Sequence, residues 1–426
     1  MIKSFNITGL YGLYTYNIDF TGQPLKILTG PNGFGKSTIL RCINHIYSCN
    51  FWFFYYLPFK DLKMEMTDGV QVIINKVLVS KECESDSEVE TKKEENVNVF
   101  IKKEGGTWNE KITLTEQYVR DLERPYFMRR REENQDHEQI IAEYYRPDRD
   151  PLLVDNCKNT LLYFRPDNCH YVEEQRLIFS ASSLREREPV KYTIDIINDS
   201  LISHFFLQQN EYAKTCRKVD GSFIRRLADM TNNPEAKQDK EDSKILFEKL
   251  KNRIGEYRKY HLVDDIDLVD NLDMDRFGEV LDLYLQDMNT KLDAFKDYFR
   301  RLQALDKFIS NKELSYKNIK LDERGISVYS QNGDPVPLNK LSSGEQNLII
   351  LCYRLVFESK PNDILLVDEP ENSMHMAWLE YLLQDYKTIA EATQCQIIIA
   401  THSPVFIHGE WDLTFDLCEN NEAEIA

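Results

Sequence analysis

Four stretches of this chain hold residue types that handle phosphate and water. Gly30-Pro31-Asn32-Gly33-Phe34-Gly35-Lys36-Ser37-Thr38 has the spacing GxxxxGK[ST]. Glycines at these positions let backbone N–H groups wrap phosphate oxygens, and Asn32 and Thr38 belong to the same cradle. Lys36 reaches the β- and γ-phosphates and the Ser37 hydroxyl ligates Mg²⁺. Leu341–Gln346 reads LSSGEQ and leads into apolar Leu348–Leu351. A Ser-Gly pair opening a helix offers free N–H groups and the positive end of the helix dipole, a second anion site built from Ser343, Gly344 and Glu345. Asp368 and Glu369 follow apolar Ile364–Val367, and Thr401-His402-Ser403-Pro404 follows apolar Gln396–Ala400. Asp368 is placed to hold the metal, Glu369 to polarise a water, and His402 to hydrogen-bond a γ-phosphate. These groups suit in-line attack of water on a triphosphate, a reaction that needs positioning and charge neutralisation more than covalent help.

The elements around these residues are expected to present them at one edge. Leu25–Thr29 reads as a short buried strand and Ser37–Ile43 as a helix, the strand–loop–helix setting a phosphate loop requires. Asn168–Ile178 reads as a strand ending in a polar turn, with Gln175 where it could reach metal and water. Apolar strands alternating with helices, Met376–Thr393 among them, predict a parallel sheet with ligands at its carboxyl ends.

Ile2–Phe20 predicts two strands and a turn, Met64–Val79 a hairpin turning at Asp68-Gly69, and Phe100–Leu114 further strand. Lys81–Asn96, a charged run, is expected to be a solvated loop or disordered. Arg120–Asp150 is expected to be charged and helical.

Ile194–Ile309 reads as a helical insertion. Leu246, Leu250, Ile254 and Tyr257 share one helix face, and Leu281, Leu285, Met288, Leu292, Phe295, Phe299 and Leu302 form a heptad seam. The acidic stretch Asp264–Asp275 reads as a solvated linker. Ile319–Tyr329 predicts a strand pair turning at Gly325, and Asn347–Phe357 the helix after LSSGEQ. The fold class expected is α/β, a P-loop head with a mainly parallel sheet, an N-terminal antiparallel β region and a helical or coiled-coil insertion. Its segments would be 1–183, 184–312 and 313–426.

With 426 residues, 42% hydrophobic and 29% charged, the composition suits a globular protein. No apolar run reaches membrane-spanning length. The N-terminus lacks a signal-peptide core, and nine scattered cysteines without a CxxC pair favour a reducing, cytoplasmic setting. A net charge of −18 argues against broad electrostatic binding of nucleic acid, leaving only a local basic patch for it.

GPNGFGKST, LSSGEQ, ILLVDEPENSMH and IIIATHSP, in this order, resemble the Walker A, signature, Walker B/D-loop and switch-histidine motifs of ABC-type ATPases. The EPExxxH form, Glu369–His375, resembles the soluble branch of RecF, SMC and OLD-type ATPases. VEEQRLIF at Val172–Phe179 and the aromatic-rich Phe51–Phe59 resemble bacterial anti-phage ATPases, first those of PARIS systems and less closely those of Septu. The resemblance departs at Met374, where the family usually has Leu.

It implies ATP and Mg²⁺ as ligands, Gln175 as a Q-loop residue, and a head-to-tail homodimer or a larger even-numbered homo-oligomer. Ser343 and Gly344 of one copy would cap the nucleotide of the other. It also implies a regulatory role over a separate effector, a nuclease. The alternative is a DNA-clamping repair ATPase of the RecF or SMC kind. A self-contained OLD-type nuclease is disfavoured by the short tail after Ser403.

Overall fold

The computed structural model describes residues 1–85, 88–105, 108–127, 147–172, 193–232, 240–264, 274–312, 317–371 and 376–421. The chain divides into two compact units, Met1–Leu177 with Ser359–Ala426, and Ile178–Glu358.

The first unit holds two sheets. Strands β1 (Ile2–Leu10), β2 (Tyr14–Asp19), β4 (Asp61–Met66), β5 (Val70–Ser85), β6 (Glu88–Lys103) and β7 (Asn109–Leu114) form an antiparallel sheet in the order β2-β1-β4-β5-β6-β7. Strands β3 (Leu25–Thr29), β8 (Cys169–Val172), β12 (Ile364–Asp368), β13 (Gln396–Ala400) and β14 (Thr414–Asp416) form a parallel one, ordered β14-β3-β13-β12-β8. Every residue of β12 and β13 is buried, as expected of strands covered on both faces.

Helix α1 (Lys36–Tyr47) packs on β8, β12 and β13, burying Ile39, Leu40, Ile43 and Ile46 in the core. The aromatic stretch joins the same core: Phe51, Trp52, Phe54 and Phe59 are buried, and Phe53–Tyr56 forms the single turn α2. Gln396 ties the start of β13 to β1, its amide taking Ile2 N–H at 2.7 Å and giving to Ile2 C=O at 2.9 Å. Helices α3 (Glu116–Phe127), α4 (Pro151–Asn156), α5 (Lys158–Tyr163), α11 (Met376–Thr393) and α12 (Pro404–Ile407) complete the unit.

The second unit contains α6 (Thr193–Asn232), α7 (Lys240–Arg258), α8 (Met274–Asp293), α9 (Lys296–Ser310) and α10 (Ser343–Tyr353), with the antiparallel strands β9 (Lys317–Asp322), β10 (Gly325–Ser330) and β11 (Pro335–Val336). Helix α8 lies against both α6 and α7. All seven residues of the heptad seam are buried. The seam nevertheless spans two helices, because the chain leaves the helix at Ala294-Phe295 before α9 begins.

Three expectations need correction. The Lys81–Asn96 run is not a loop: residues up to Ser85 continue β5 and those from Glu88 continue β6, in register from Val70↔Lys103 to Ser85↔Glu88. Pairing with a neighbour satisfies the backbone whatever the side chains carry, so charge alone did not exclude a strand. The helix after LSSGEQ starts at Ser343 rather than Asn347, and Arg354–Glu358 is a π-helical turn. The turn between β9 and β10 sits at Glu323-Arg324, and Gly325 opens β10. Arg120–Asp150 is helical up to Phe127, and residues 128–146 lie outside the described residues.

Candidate active site

The carboxyl ends of β3, β12 and β13 lie side by side, because the strands pair in parallel register: Val367 opposite Ile399, and Ile399 opposite Ile27. The phosphate loop leaves β3 there. Gly30, Gly33 and Gly35 hold φ of 140°, 91° and 87°, conformations that L side chains rarely adopt. Gly35 has a second reason: an added Cβ would stand 2.8 Å from Leu10 Cδ2. Lys36 is buried and folds back on the loop, its Nζ donating to Gly30 C=O at 2.8 Å and Pro31 C=O at 3.2 Å. A triphosphate would offer these protons charged acceptors instead, and charge-assisted bonds are the stronger. Tyr11 reaches over to Thr38, hydroxyl to hydroxyl at 2.7 Å.

Ser37 and Asp368, 331 positions apart in sequence, meet: the Ser37 hydroxyl donates to Asp368 Oδ1 at 2.9 Å. Tyr171, from β8, donates to the other carboxylate oxygen at 3.2 Å. Asp368 is buried at the end of an apolar strand, so its charge must be held by such donors. The pair fits a magnesium ion. Mg²⁺ favours hard oxygens, takes few from the protein, and fills the rest of its shell from phosphate and water.

Glu369 follows in a left-handed conformation with φ 44°, costly for a non-glycine residue and held by its N–H donating to Ala400 C=O at 2.8 Å. The imidazole of His402 comes from the neighbouring strand end. Its Nδ1 lies 3.1 Å from Glu369 Oε1 and 3.7 Å from Glu371 Oε1. The Thr401 hydroxyl donates to Glu371 Oε1 and accepts Ser403 N–H at 3.0 Å. Burial pushes the Glu371 carboxyl above the usual range, with the charge of Glu369 adding to it against the Thr401 hydrogen bond.

In the helical unit the signature residues form a tight helix start. Ser342 is the N-cap; its hydroxyl accepts Glu345 N–H at 3.3 Å, and Glu345 Oε2 takes Ser342 N–H at 2.8 Å, a reciprocal capping box. Lys317 Nζ donates to both Glu345 oxygens, at 2.7 and 2.9 Å. Burial opposes ionisation of Glu345, but the bonds from Lys317 and Ser342 outweigh it and hold the carboxyl below the usual range. Glu345 thus shapes the helix start, while Ser343 and Gly344 beside it are exposed.

Ser37, Asp368, Glu369 and His402 therefore lie together, on the same strand ends as the loop of Gly33, Gly35 and Lys36. Gln175 and His375 lie outside the described residues. Sequence reasoning passed over Tyr171, Glu371 and Lys317. Glu371 stands in the quoted motif, yet only the fold puts its carboxylate beside His402. Lys317 and Tyr171 carry no local signal: Tyr171 reaches Asp368 on the neighbouring strand, and Lys317 reaches Glu345 at the start of α10.

Among the described residues no helix is long and apolar enough to cross a membrane. Of the solved structures similar to the chain, the Smc head domain with an extended coiled coil, bound to the C-terminal domain of ScpA and from Pyrococcus furiosus, is 12% identical. The similarity covers 95% of this chain and 90% of that one at a TM-score of 0.33. The SMC head domain from Thermotoga maritima is also 12% identical over 95% of this chain and 90% of that one, at a TM-score of 0.30. A curated relative, the DNA double-strand break repair Rad50 ATPase of Sulfurisphaera tokodaii, is 31% identical over 105 residues, which span 23% of this chain and 12% of that protein. Residues 1–407 match the AAA ATPase domain family, so the phosphate loop, the buried Asp368 and the Glu369–His402 pair belong to an ATPase of that family.

Proposed function

We propose that the chain hydrolyses ATP with Mg²⁺ in a head-to-tail dimer and acts as the regulatory subunit of an anti-phage defence system controlling a separate effector, a nuclease. The observation that carries the hydrolytic part is the Ser37–Asp368 hydrogen bond beside the Glu369–His402 contact. A metal-binding pair and a water-polarising carboxylate then share one strand edge. Gly33, Gly35 and Lys36, with Asn32 and Thr38, hold the phosphates. Ser37 and Asp368, with Gln175, would hold the metal, which would supply neutralisation of the charge that develops in phosphoryl transfer. Glu369 takes the proton of the attacking water and His402 hydrogen-bonds the γ-phosphate.

The chain contains one phosphate loop and one signature motif. Ser343 and Gly344, exposed at a capped helix start, supply N–H groups to the nucleotide of a second copy, and twofold symmetry makes two equivalent sites. Closure on ATP and opening on hydrolysis give the helical unit a two-state signal. The defence role rests on the resemblance of Val172–Phe179 and Phe51–Phe59 to anti-phage ATPases.

The Rad50 likeness favours a second reading, an ATPase that clamps DNA. The net charge of −18 weighs against it. ATPase assays at physiological salt, with and without plain duplex DNA, separate the two. Strong stimulation by duplex without a partner protein would favour the DNA-clamping reading, and an adjacent nuclease gene the regulatory one.

A further inference from the structure

Glu371 has no part in the scheme above, and its surroundings are unusual. The residue is 8% exposed, and its Oε2 is a buried oxygen with no hydrogen-bond partner among the described residues. A buried polar atom left unpaired is costly and calls for a reason. Its other oxygen takes the Thr401 hydroxyl and stands 3.7 Å from His402 Nδ1. That same nitrogen is 3.1 Å from Glu369 Oε1. Carboxylates only accept hydrogen bonds, so an imidazole nitrogen facing two of them carries its proton. The ring is then held with Nδ1–H inward and Nε2 on its far edge, where it donates to a phosphate oxygen only once it too carries a proton.

We propose that Glu371 is a positioning residue: with Thr401 it completes an acidic seat that fixes the tautomer and ring angle of His402, and through His402 the Glu369 carboxylate. The role rests on the hydrolytic reading above, but its structural half can be measured without nucleotide. The seat explains why the second Glu is buried next to the first. Alone, Glu369 could hold Nδ1–H from many directions. With Glu371 Oε1 also facing Nδ1, that edge of the ring has two acceptors, and the Thr401 hydrogen bond keeps Glu371 from turning away. A carboxylate that supports a histidine from behind is a known device for fixing its protonated nitrogen.

The test uses Glu371→Gln, nearly isosteric, and Glu371→Ala in the full chain. Nitrogen-15 NMR of the imidazoles, with His402 assigned by its own substitution, reads the tautomer without ATP. Wild type is expected to hold Nδ1–H, and both variants a mixture with Nε2–H. In ATPase assays kcat is expected to fall about tenfold, with ATP Kd within twofold of wild type and melting temperature within a few degrees. An unchanged His402 tautomer in both variants would overturn the seat. A kcat drop matched by loss of ATP affinity and of melting temperature would make Glu371 a folding residue only. A wild-type protein that fails to hydrolyse ATP would sink the hydrolytic reading and leave the tautomer result standing.

Discussion

The phosphate loop and the start of α10 both present groups suited to a phosphate, yet they are prepared differently. In the loop, Lys36 is bonded to the carbonyls of Gly30 and Pro31, and Ser37 to Asp368. These groups must exchange internal partners for a ligand. At α10 the internal bonds are made by Ser342, Glu345 and Lys317, while Ser343 and Gly344 remain exposed. One region has to rearrange on binding; the other is already set. If the proposed function holds, a region that exchanges bonds gives a large response to losing one group, because that group would be the ligand contact. A pre-set region answers mainly through its scaffold.

Four substitutions would break or sharpen that contrast. Lys36→Ala removes the cation that makes the exchange worthwhile and is expected to abolish ATP binding, weakening it at least about a hundredfold in a fluorescent-nucleotide titration; near-normal affinity would mean that the loop does not depend on its lysine. Glu369→Gln is expected to cut turnover by about 10²-fold or more while ATP still binds and a closed dimer accumulates by light scattering. Normal turnover in that variant removes Glu369 as the base. Ser343→Arg fills the exposed end of α10, and is expected to leave ATP affinity of the single chain within twofold but lower turnover at least about tenfold. Equal turnover would argue that no second copy docks there.

Glu345→Ala tests the scaffold and is expected to destabilise the helical unit by about 1–2 kcal/mol in thermal melts. The sign of its pH dependence follows from a folded-state carboxyl held below its usual range. Its stabilisation is complete above the ordinary glutamate range, near about 4.3, and is lost as pH falls through the lower folded-state value. The difference between wild type and Glu345→Ala should therefore shrink on acidification below about pH 4. A difference that grows there would refute the pairing with Lys317.

How much was legible in the sequence follows from which signals are local. Strands β12 and β13 and helix α11 match their expected bounds because continuous apolar runs and a 3.6-residue period leave few alternatives. Asp368, Glu369 and His402 were legible because they sit at the ends of such runs, and Ser37 because it closes the GxxxxGK[ST] spacing. The outer half of β5 and β6 was not, since its residues satisfy each other's backbone and need no apolar face. The start of α10 was placed four residues late, because its first turn, Ser343-Gly344-Glu345-Gln346, is polar and is set by a cap instead of by packing. Tyr171 gains meaning only from the pairing of β8 with β12, and Lys317 only from reaching the start of α10, 28 positions away.

The paired strands β5 and β6 run sixteen residues each, but β4 accompanies β5 only as far as Asn75 and β7 joins β6 only from Val97. Among the described residues, the ribbon beyond these points has no lateral neighbour. Its root is tethered where Lys76 N–H donates to Lys60 C=O at 3.0 Å and Lys76 Nζ to Tyr55 C=O at 2.9 Å. At about 3.3 Å per residue, the ten positions from Lys76 to Ser85 make an arm roughly 30 Å long. Shortening that arm would leave every other strand pairing of the six-stranded sheet intact, so its length can vary without disturbing the sheet that roots it.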